Sequence, residues 1–368
     1  MRIGILGAGQ LGRMLTLDGM RLGHEFSLYD PVGKASAGVG TVYNDPEGQH
    51  LSTFLNETDV VTYEFEHLPL ELVNRVATEK PVHPVPRALQ CCQNRTLEKA
   101  LFRDLGISTA PFEVVESAET LEAATQRLGG RVVAKSATDG YDGKGQAVLS
   151  SPEHAAEAWP RIGCDTAIAE SFVPFRRELS IVAARGQDGE MAFYPLAENI
   201  HHQGILRFSI APAPHVTQEL EDQAQRMIRT LMNELGYVGV LALEMFETEE
   251  GLVANEMAPR VHNSGHWSQN GAVTSQFENH IRAVSGLPLG ETAAFQPTCM
   301  INLIGETGPV AEILRLPYTH LHLYGKAGRP GRKVGHINIL ADSLEELRWR
   351  TMNTASLLPE CPEFDWRP

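Results

Sequence analysis

Long apolar runs are missing from this chain. Its apolar stretches are short, such as 181–184, whereas a membrane-spanning helix needs about 20 such residues. Cysteine is scarce. There are five in 368 residues, with Cys91 and Cys92 adjacent and no CxxC pair. That excludes a disulfide-stapled scaffold and points to reduced thiols in a cytoplasmic protein. Basic residues are in deficit: 31 Lys and Arg face 46 Asp and Glu, a formal charge of −15. Such an excess disfavours non-specific binding to nucleic acid or to anionic membranes, although a local basic site for a phosphorylated metabolite is still allowed. No internal repeat and no low-complexity tract occurs. The opening MRIGILGAGQ reads as an immediate strand, without a signal-peptide core. What remains is ordinary globular composition, 42% hydrophobic and 21% charged, at a length expected to hold two to three domains of roughly 150 residues each.

Residues 1–90 alternate strand and helix patterns. Strands are expected at 2–6, 26–30 and 59–64, and helices at 11–22, 47–56 and 68–77. This is the pattern of a doubly wound parallel sheet, with its ligand crevice at the carboxyl ends of the strands. The Pro-rich segment 81–89 breaks the alternation. A second region, 91–295, reads as two subdomains, 91–175 and 176–295. It carries strands at 112–116, 131–135, 146–149, 166–170, 178–184 and 191–196. Its amphipathic helix at 217–235 ends at Gly236. A hairpin at 238–246 and 251–257 follows. Residues 296–368 read as a further small α/β unit, with strands near 301–304, 321–324 and 336–340 and a closing helix near 343–355.

Six clusters carry chemistry. Gly7-Ala8-Gly9-Gln10-Leu11-Gly12 is a GxGxxG turn between a strand and a helix, with Asp30 at the end of the next strand. On its own it fits either a dinucleotide site or plain helix–strand packing. Gly140, Tyr141, Asp142, Gly143, Lys144, Gly145 and Gln146 form a second glycine turn, here between two strands. That context suits backbone N–H groups and Lys144 facing a triphosphate, with Lys135 as a second cation. Glu244 and Glu256 lie on the two arms of the hairpin among apolar residues, where a carboxylate needs a partner. A divalent cation such as Mg²⁺ is one, and surface exposure or an arginine pair is the alternative. Arg260, His262, Asn263 and Ser264 follow, able to orient a planar anion and a small substrate. Lys326, Arg329, Arg332 and Lys333 make a basic loop suited to a phosphomonoester. Finally, Glu64 and Glu66 end the third strand at the crevice.

Segments 4–14, 140–146, 170–180, 255–267 and 324–336, taken in order, closely resemble the ATP-grasp superfamily. Within it they resemble the N5-carboxyaminoimidazole ribonucleotide synthetases. The resemblance spans nearly the whole chain. It implies an ATP-grasp fold of mixed α/β and α+β class, with an N-terminal preATP-grasp domain and a small C-terminal domain. It further implies an ATP- and bicarbonate-dependent carboxylation of 5-aminoimidazole ribonucleotide through carboxyphosphate. ATP would meet Arg95, Lys135, the 140–146 loop, Glu170, Ser171, Phe172, Val173, Glu178, His201 and Asn255. Mg²⁺, or Mn²⁺, would sit on Glu244 and Glu256. The ribonucleotide would meet Gln10, Leu11, Glu64, Glu66, Tyr141, Asp142, His262, Asn263 and Ser264, with its phosphate on Lys326, Arg332 and Lys333. Arg260, Lys135, Lys144 and Asp142 would be catalytic, Arg260 by holding bicarbonate. A homodimer and a separate mutase that consumes the carbamate are also implied.

In one segment this chain departs from that pattern. Relatives carry basic residues and two glycines before Tyr-Asp-Gly, where this chain has Ser136, Ala137, Thr138 and Asp139. Two other activities fit part of the sequence. A formate-dependent glycinamide ribonucleotide transformylase shares the acyl phosphate chemistry. A nicotinamide oxidoreductase would rest on the first glycine turn and Asp30 alone.

Overall fold

The structure, a computed structural model, describes residues 1–138 and 145–367. Three sheets organise it. In the first, β1 (Arg2–Leu6), β2 (Glu25–Asp30), β3 (Thr41–Asn44) and β4 (Val60–Tyr63) are all parallel, in the order β3-β2-β1-β4. The strands β1, β2 and β4 are almost continuously buried, as expected of a parallel sheet covered on both faces. The chain leaves β1 in one direction to reach β2 and returns on its other side as β4. The carboxyl ends of β1 and β4 therefore flank the point where a doubly wound sheet opens its crevice.

The second sheet holds β5 (Phe112–Val115), β6 (Val132–Ser136), β7 (Gln146–Leu149) and β8 (Ala167–Ser171) in the antiparallel order β5-β8-β6-β7. One face packs on the helices Ala118–Arg127 and Ala155–Ile162 through Val115, Leu121, Val132, Leu149 and Ile162. Ser117 opens the first of these helices with a reciprocal capping box to Thr120, which satisfies amides the helix cannot pair internally.

The third sheet is the largest. It contains β9 (Arg177–Arg185), β10 (Met191–Phe193), β11 (Ala197–His202), β12 (Ile205–Ala211), β13 (Gly239–Thr248), β14 (Gly251–Ala258), β15 (Thr298–Ile304), β16 (Thr319–Leu323) and β17 (Lys333–Leu340). Its path is β14-β13-β9-β11-β12-β15-β17-β16, with β10 paired to the C-terminal end of β9 beyond β11. The three C-terminal strands are thus not a sheet of their own. β15 pairs antiparallel with β12, and the small unit expected from 296 onwards continues the central sheet.

Several elements have no clear signal in the sequence, among them β3, the helix Ala155–Ile162, and the hairpin and two helices described next. β11 and β12 are joined by Gln203 and Gly204, both with positive φ, +52° and +76°. That is the geometry of a tight two-residue hairpin, but glutamine is not among the residues that advertise it. The helix Pro86–Cys92 was read as part of a proline-rich break. The helix Gln276–Ser285 buries Gln276, Asn279 and His280 among its apolar residues, so its apolar stripe is interrupted. It packs on the helix Gln10–Met20 and on β13, and so ties the first sheet to the third.

Candidate active site

A cleft opens between the second and third sheets. Its walls are Val133 and Lys135 of β6, Glu170 and Ser171 of β8, Phe172, Val173 and Phe175 beyond it, and Phe246, Ala254 and Asn255 of the β13–β14 hairpin. Phe175 and Phe246 stack with ring centroids 4.6 Å apart. Arg131 lies 3.6 Å over the ring of Phe172 and pins the strand exit. The result is a flat, largely apolar slot with cations at its inner end, the shape a purine nucleotide requires. Lys135, Glu170, Ser171, Phe172, Val173 and Asn255 all line it.

Six residues of this cleft carry no expectation from the sequence: Lys99, Ala110, Val133, Phe175, Phe246 and Ala254. Lys99 sits in the helix Arg95–Asp104, where both it and Glu98 are buried. The Nζ atoms of Lys99 and Lys135 each lie 2.6 Å from the Glu170 carboxylate. Burial alone would raise Glu170, but the two lysines outweigh it and hold the carboxyl down at about 2. Arg95, the first residue of that helix, donates from its backbone N–H to Ala137 and from its guanidinium to Ser136. It thereby fixes the end of β6. Gln146 faces Lys135 across the β6–β7 register, and Gly145 accepts from the Ser136 N–H. The predicted residues Gly140, Tyr141, Asp142, Gly143 and Lys144 lie outside the described residues.

Glu178 and His201 stand on the adjacent strands β9 and β11, with His201 Nδ1 3.1 Å from the carboxylate. Burial works against charge on this ring. Glu178, then Glu244 and Glu256, outweigh it and raise His201. Glu244 and Glu256 are directly opposite one another in the hairpin, just before a bulge. Among the described residues neither is paired with an arginine. Burial, then the facing Glu256, pushes Glu244 up to about 8. Glu98 is raised to about 8 by the same two causes, and it accepts the Met257 N–H at 2.7 Å.

A carboxylate pair that repels in isolation is the donor chemistry a hard divalent cation satisfies, so these residues fit one. Among the described residues no three His, Cys, Asp or Glu converge as a cage. The protein would therefore supply part of a coordination shell and leave the rest to phosphate oxygens and water.

The first glycine turn holds a carboxylate already. Glu64, at the end of β4, accepts the Gly9 N–H at 2.5 Å on one oxygen and the Gly12 N–H at 2.8 Å on the other. Gly7 has φ of +100°, and a Cβ there would lie 2.7 Å from Glu64 Cγ. The amides that would cradle a pyrophosphate are thus occupied. Asp30 is engaged too, accepting from the Val32 and Lys34 N–H groups. The geometry removes both supports of a dinucleotide site. Burial raises Glu64, opposed by the Gly12 and Gly9 N–H groups.

The two carboxylates of this strand end diverge. Glu64 turns into the glycine loop, while Glu66 pairs with Arg260 at 2.7 Å. Arg260 also donates to the Val261 carbonyl. Gln10 hydrogen-bonds Lys326, which brings the basic loop onto the same turn. Leu11 packs in the core beneath it. Arg332 braces the loop through the Ala327 carbonyl at 3.1 Å, and Lys333 opens β17, where its charge acts on Glu244 and His262.

His262 reaches back to the hairpin, its Nε2 3.4 Å from Glu244. Burial, then Arg260, holds this ring neutral, well below its usual range. Asn263 exchanges amide hydrogen bonds with Asn302 of β15 at 3.0 and 2.7 Å. Ser264 is fully buried against His262. The segment 255–264 therefore runs from the nucleotide cleft, past the carboxylate pair, to the cluster of Glu64, Glu66 and Lys326.

Comparison with known proteins gives the same division. Residues 1–93 match the ribonucleotide synthetase preATP-grasp domain, 100–277 the ATP-grasp domain and 298–350 the phosphoribosylaminoimidazole carboxylase C-terminal domain. The N5-carboxyaminoimidazole ribonucleotide synthase of Pseudomonas aeruginosa is 46% identical over 97% of this chain and 99% of its own length. The crystal structure of the N5-carboxyaminoimidazole ribonucleotide synthetase from Thermus thermophilus superposes with a TM-score of 0.93 at 47% identity, covering 99% of this chain and 100% of that one. The synthase from Aspergillus clavatus, in complex with ADP and 5-aminoimidazole ribonucleotide, is 30% identical with a TM-score of 0.88, covering 97% and 98%. No helix among the described residues is long and apolar enough to cross a membrane. With its three domains, its cleft and its relatives in agreement, the chain belongs to the N5-carboxyaminoimidazole ribonucleotide synthetase family of ATP-grasp ligases.

Proposed function

We propose that this chain carboxylates 5-aminoimidazole ribonucleotide to N5-carboxyaminoimidazole ribonucleotide, consuming ATP and bicarbonate and releasing ADP and phosphate. The observation that carries this reading is the course of residues 255–264, which join a nucleotide cleft to a second, anion-rich and cation-rich cluster at the glycine turn.

Bicarbonate is a poor electrophile because its leaving group would be hydroxide. Transfer of the γ-phosphoryl of ATP makes carboxyphosphate, whose leaving group is phosphate. Lys135, with Lys99 behind it, neutralises the charge that develops in that transfer, and Lys144 and Asp142 of the second glycine turn are assigned the same region. The slot of Phe175 and Phe246 holds the adenine beside Glu170, Ser171, Phe172 and Val173, while Glu178 and His201 serve the ribose end. Glu244 and Glu256 are the residues that would hold Mg²⁺, or Mn²⁺, which when bound offsets charge on the phosphate oxygens.

Arg260, kept charged by Glu66, presents two parallel donors to bicarbonate. The ribonucleotide lies over the glycine turn, with its amine toward Arg260 and His262 and its phosphate on Lys326, Arg332 and Lys333. Gln10, Glu64, Tyr141, Asn263 and Ser264 complete that chamber, and Leu11 supports it from below. The amine attacks the carboxyl carbon, phosphate leaves, and the amine's proton is lost to give the carbamate. A homodimer and onward passage of the carbamate to a separate mutase belong to the same reading.

The test is ADP release with MgATP, bicarbonate and aminoimidazole ribonucleotide, omitting each in turn. Turnover that requires the ribonucleotide, with labelled bicarbonate entering an acid-labile product, is the expected result. Turnover with formate and glycinamide ribonucleotide instead would move the chain to the transformylase chemistry.

A further inference from the structure

Behind His262 a line of buried hydroxyl and amide groups crosses three strands of the central sheet. Ser209 of β12 donates to Asn199 Oδ1 at 2.7 Å, and Asn199 of β11 donates through Nδ2 to Ser180 Oγ at 2.9 Å. Ser180 of β9 then donates to Ser264 Oγ at 2.8 Å, and Ser264 Oγ lies 2.9 Å from His262 Nδ1. All four links are at most 5% exposed. The direction of the chain is set independently at its last member, because the Ser264 backbone N–H also points at Nδ1, 3.3 Å away. A backbone N–H cannot accept, so Nδ1 carries a lone pair. The proton of a neutral ring must then sit on Nε2, the nitrogen facing Glu244.

We propose that Ser180 and Asn199 are positioning residues, which act through Ser264 to lock His262 in the Nε2–H tautomer and aim its only ring proton into the space between Glu244 and the ribonucleotide chamber. His262 then serves as a hydrogen-bond donor to the carboxyl group under transfer, and its Nδ1 takes no part. The kinetic half of this assignment rests on the proposed function, whereas the tautomer itself does not.

The experiment uses the full chain labelled with ¹⁵N-histidine. Long-range ¹H–¹⁵N correlation separates protonated from unprotonated ring nitrogens, and a His262→Gln sample assigns the signals. The wild type should show Nε2–H alone. Ser180→Ala frees the Ser264 hydroxyl to accept a proton from Nδ1, and the 3.3 Å backbone contact is too long to hold the ring alone, so both tautomers should appear. With it, kcat should fall about fivefold while KM for MgATP stays within about twofold, since the tautomer sets only the fraction of competent donor. Ser180→Thr, which keeps the hydroxyl, should restore both. A wild-type Nδ1–H signal overturns the proposal. So does a Ser180→Ala protein with the wild-type tautomer, whatever its rate. Should that variant not fold, the wild-type spectrum decides alone. Failure of the proposed function would show separately, as wild-type protein with Nε2–H but no ribonucleotide-dependent ADP release.

Discussion

Glu64 shows how one side chain redirects a motif. A glycine turn at a helix N-terminus attracts any anion, because its amides are unpaired and the helix dipole adds to them. Here the anion is supplied by the protein, 52 residues along the chain from Gly12. A Cβ on Gly9 would lie 2.7 Å from Glu64 Oε1, and Gly9 has an extended φ of −97° that alanine tolerates. Gly9→Ala should therefore fold yet push the carboxylate out of the turn. The expected effect is a rise of about tenfold in KM for aminoimidazole ribonucleotide with KM for MgATP unchanged. Steady-state kinetics with each substrate varied would check it, and equal effects on both substrates would count against it.

Lys99 makes the complementary case. Nothing in its sequence context marks it, and the fold places it 2% exposed against Glu170. Lys99→Met leaves Glu170 with Lys135 alone. Loss of one member of a buried ion cluster should cost about 3 kcal/mol, read as a lower urea midpoint.

At the scale of elements, the hairpin β13–β14 does most to build the site. Its presence, its two carboxylates and the polar segment after it were legible, because apolar alternation and a polar turn define a hairpin locally. The opposing wall was less so. Phe175 and Phe246 are far apart in sequence and look like ordinary strand aromatics, and their stacking is a product of β9 pairing with β13. The β11–β12 hairpin, which carries His201, was hidden by a Gln-Gly turn, and the helix Gln276–Ser285 by its buried polar residues. Local patterning thus revealed which residues are chemical, while the long-range pairing that brings them together was visible only through family resemblance.

The stack gives a prediction at this scale. Phe246→Ala removes one face of the slot, and an aromatic–base contact contributes about 1–3 kcal/mol. KM for ATP should rise roughly tenfold, with KM for the ribonucleotide within about twofold; fluorescence titration with an ATP analogue would confirm the loss as one of binding.

Over the whole molecule, buried neutral histidines shape how the fold responds to acid. His280 sits where the first sheet meets the third, with Nε2 2.7 Å from Thr62 Oγ1 and Nδ1 accepting the Val240 N–H at 3.1 Å. His266 and His322 lie under the basic loop, bonded to Gln276 and Asn270. Burial, helped by neighbouring charge, lowers His266 and His280 to about 3 and His322 to about 4.

A group lowered from 6.5 in the folded state is protonated first in the unfolded chain. At these rings the unfolded state therefore binds more protons below about pH 6.5, and their contribution to stability falls as pH drops. Each histidine contributes a loss of about 1.4 kcal/mol between pH 7.5 and 5.5, and the three together about 4 kcal/mol. Glu170, held at about 2, acts lower down: its contribution is present above its ordinary carboxylate range and disappears as pH falls from about 4.5 toward 2. Glu98 and Glu244, raised to about 8, bind protons in the folded state over the same range as the histidines and oppose them, so thermal unfolding at pH 7.5, 6.5 and 5.5 reads the histidine contribution as a difference between a variant and the wild type. His280→Gln keeps one acceptor and one donor without a titrating ring, so it should fold and, relative to the wild type, gain about 1.4 kcal/mol between pH 7.5 and 5.5. A difference between His280→Gln and the wild type that holds constant from pH 7.5 to 5.5 would mean that this ring takes up a proton without leaving its site.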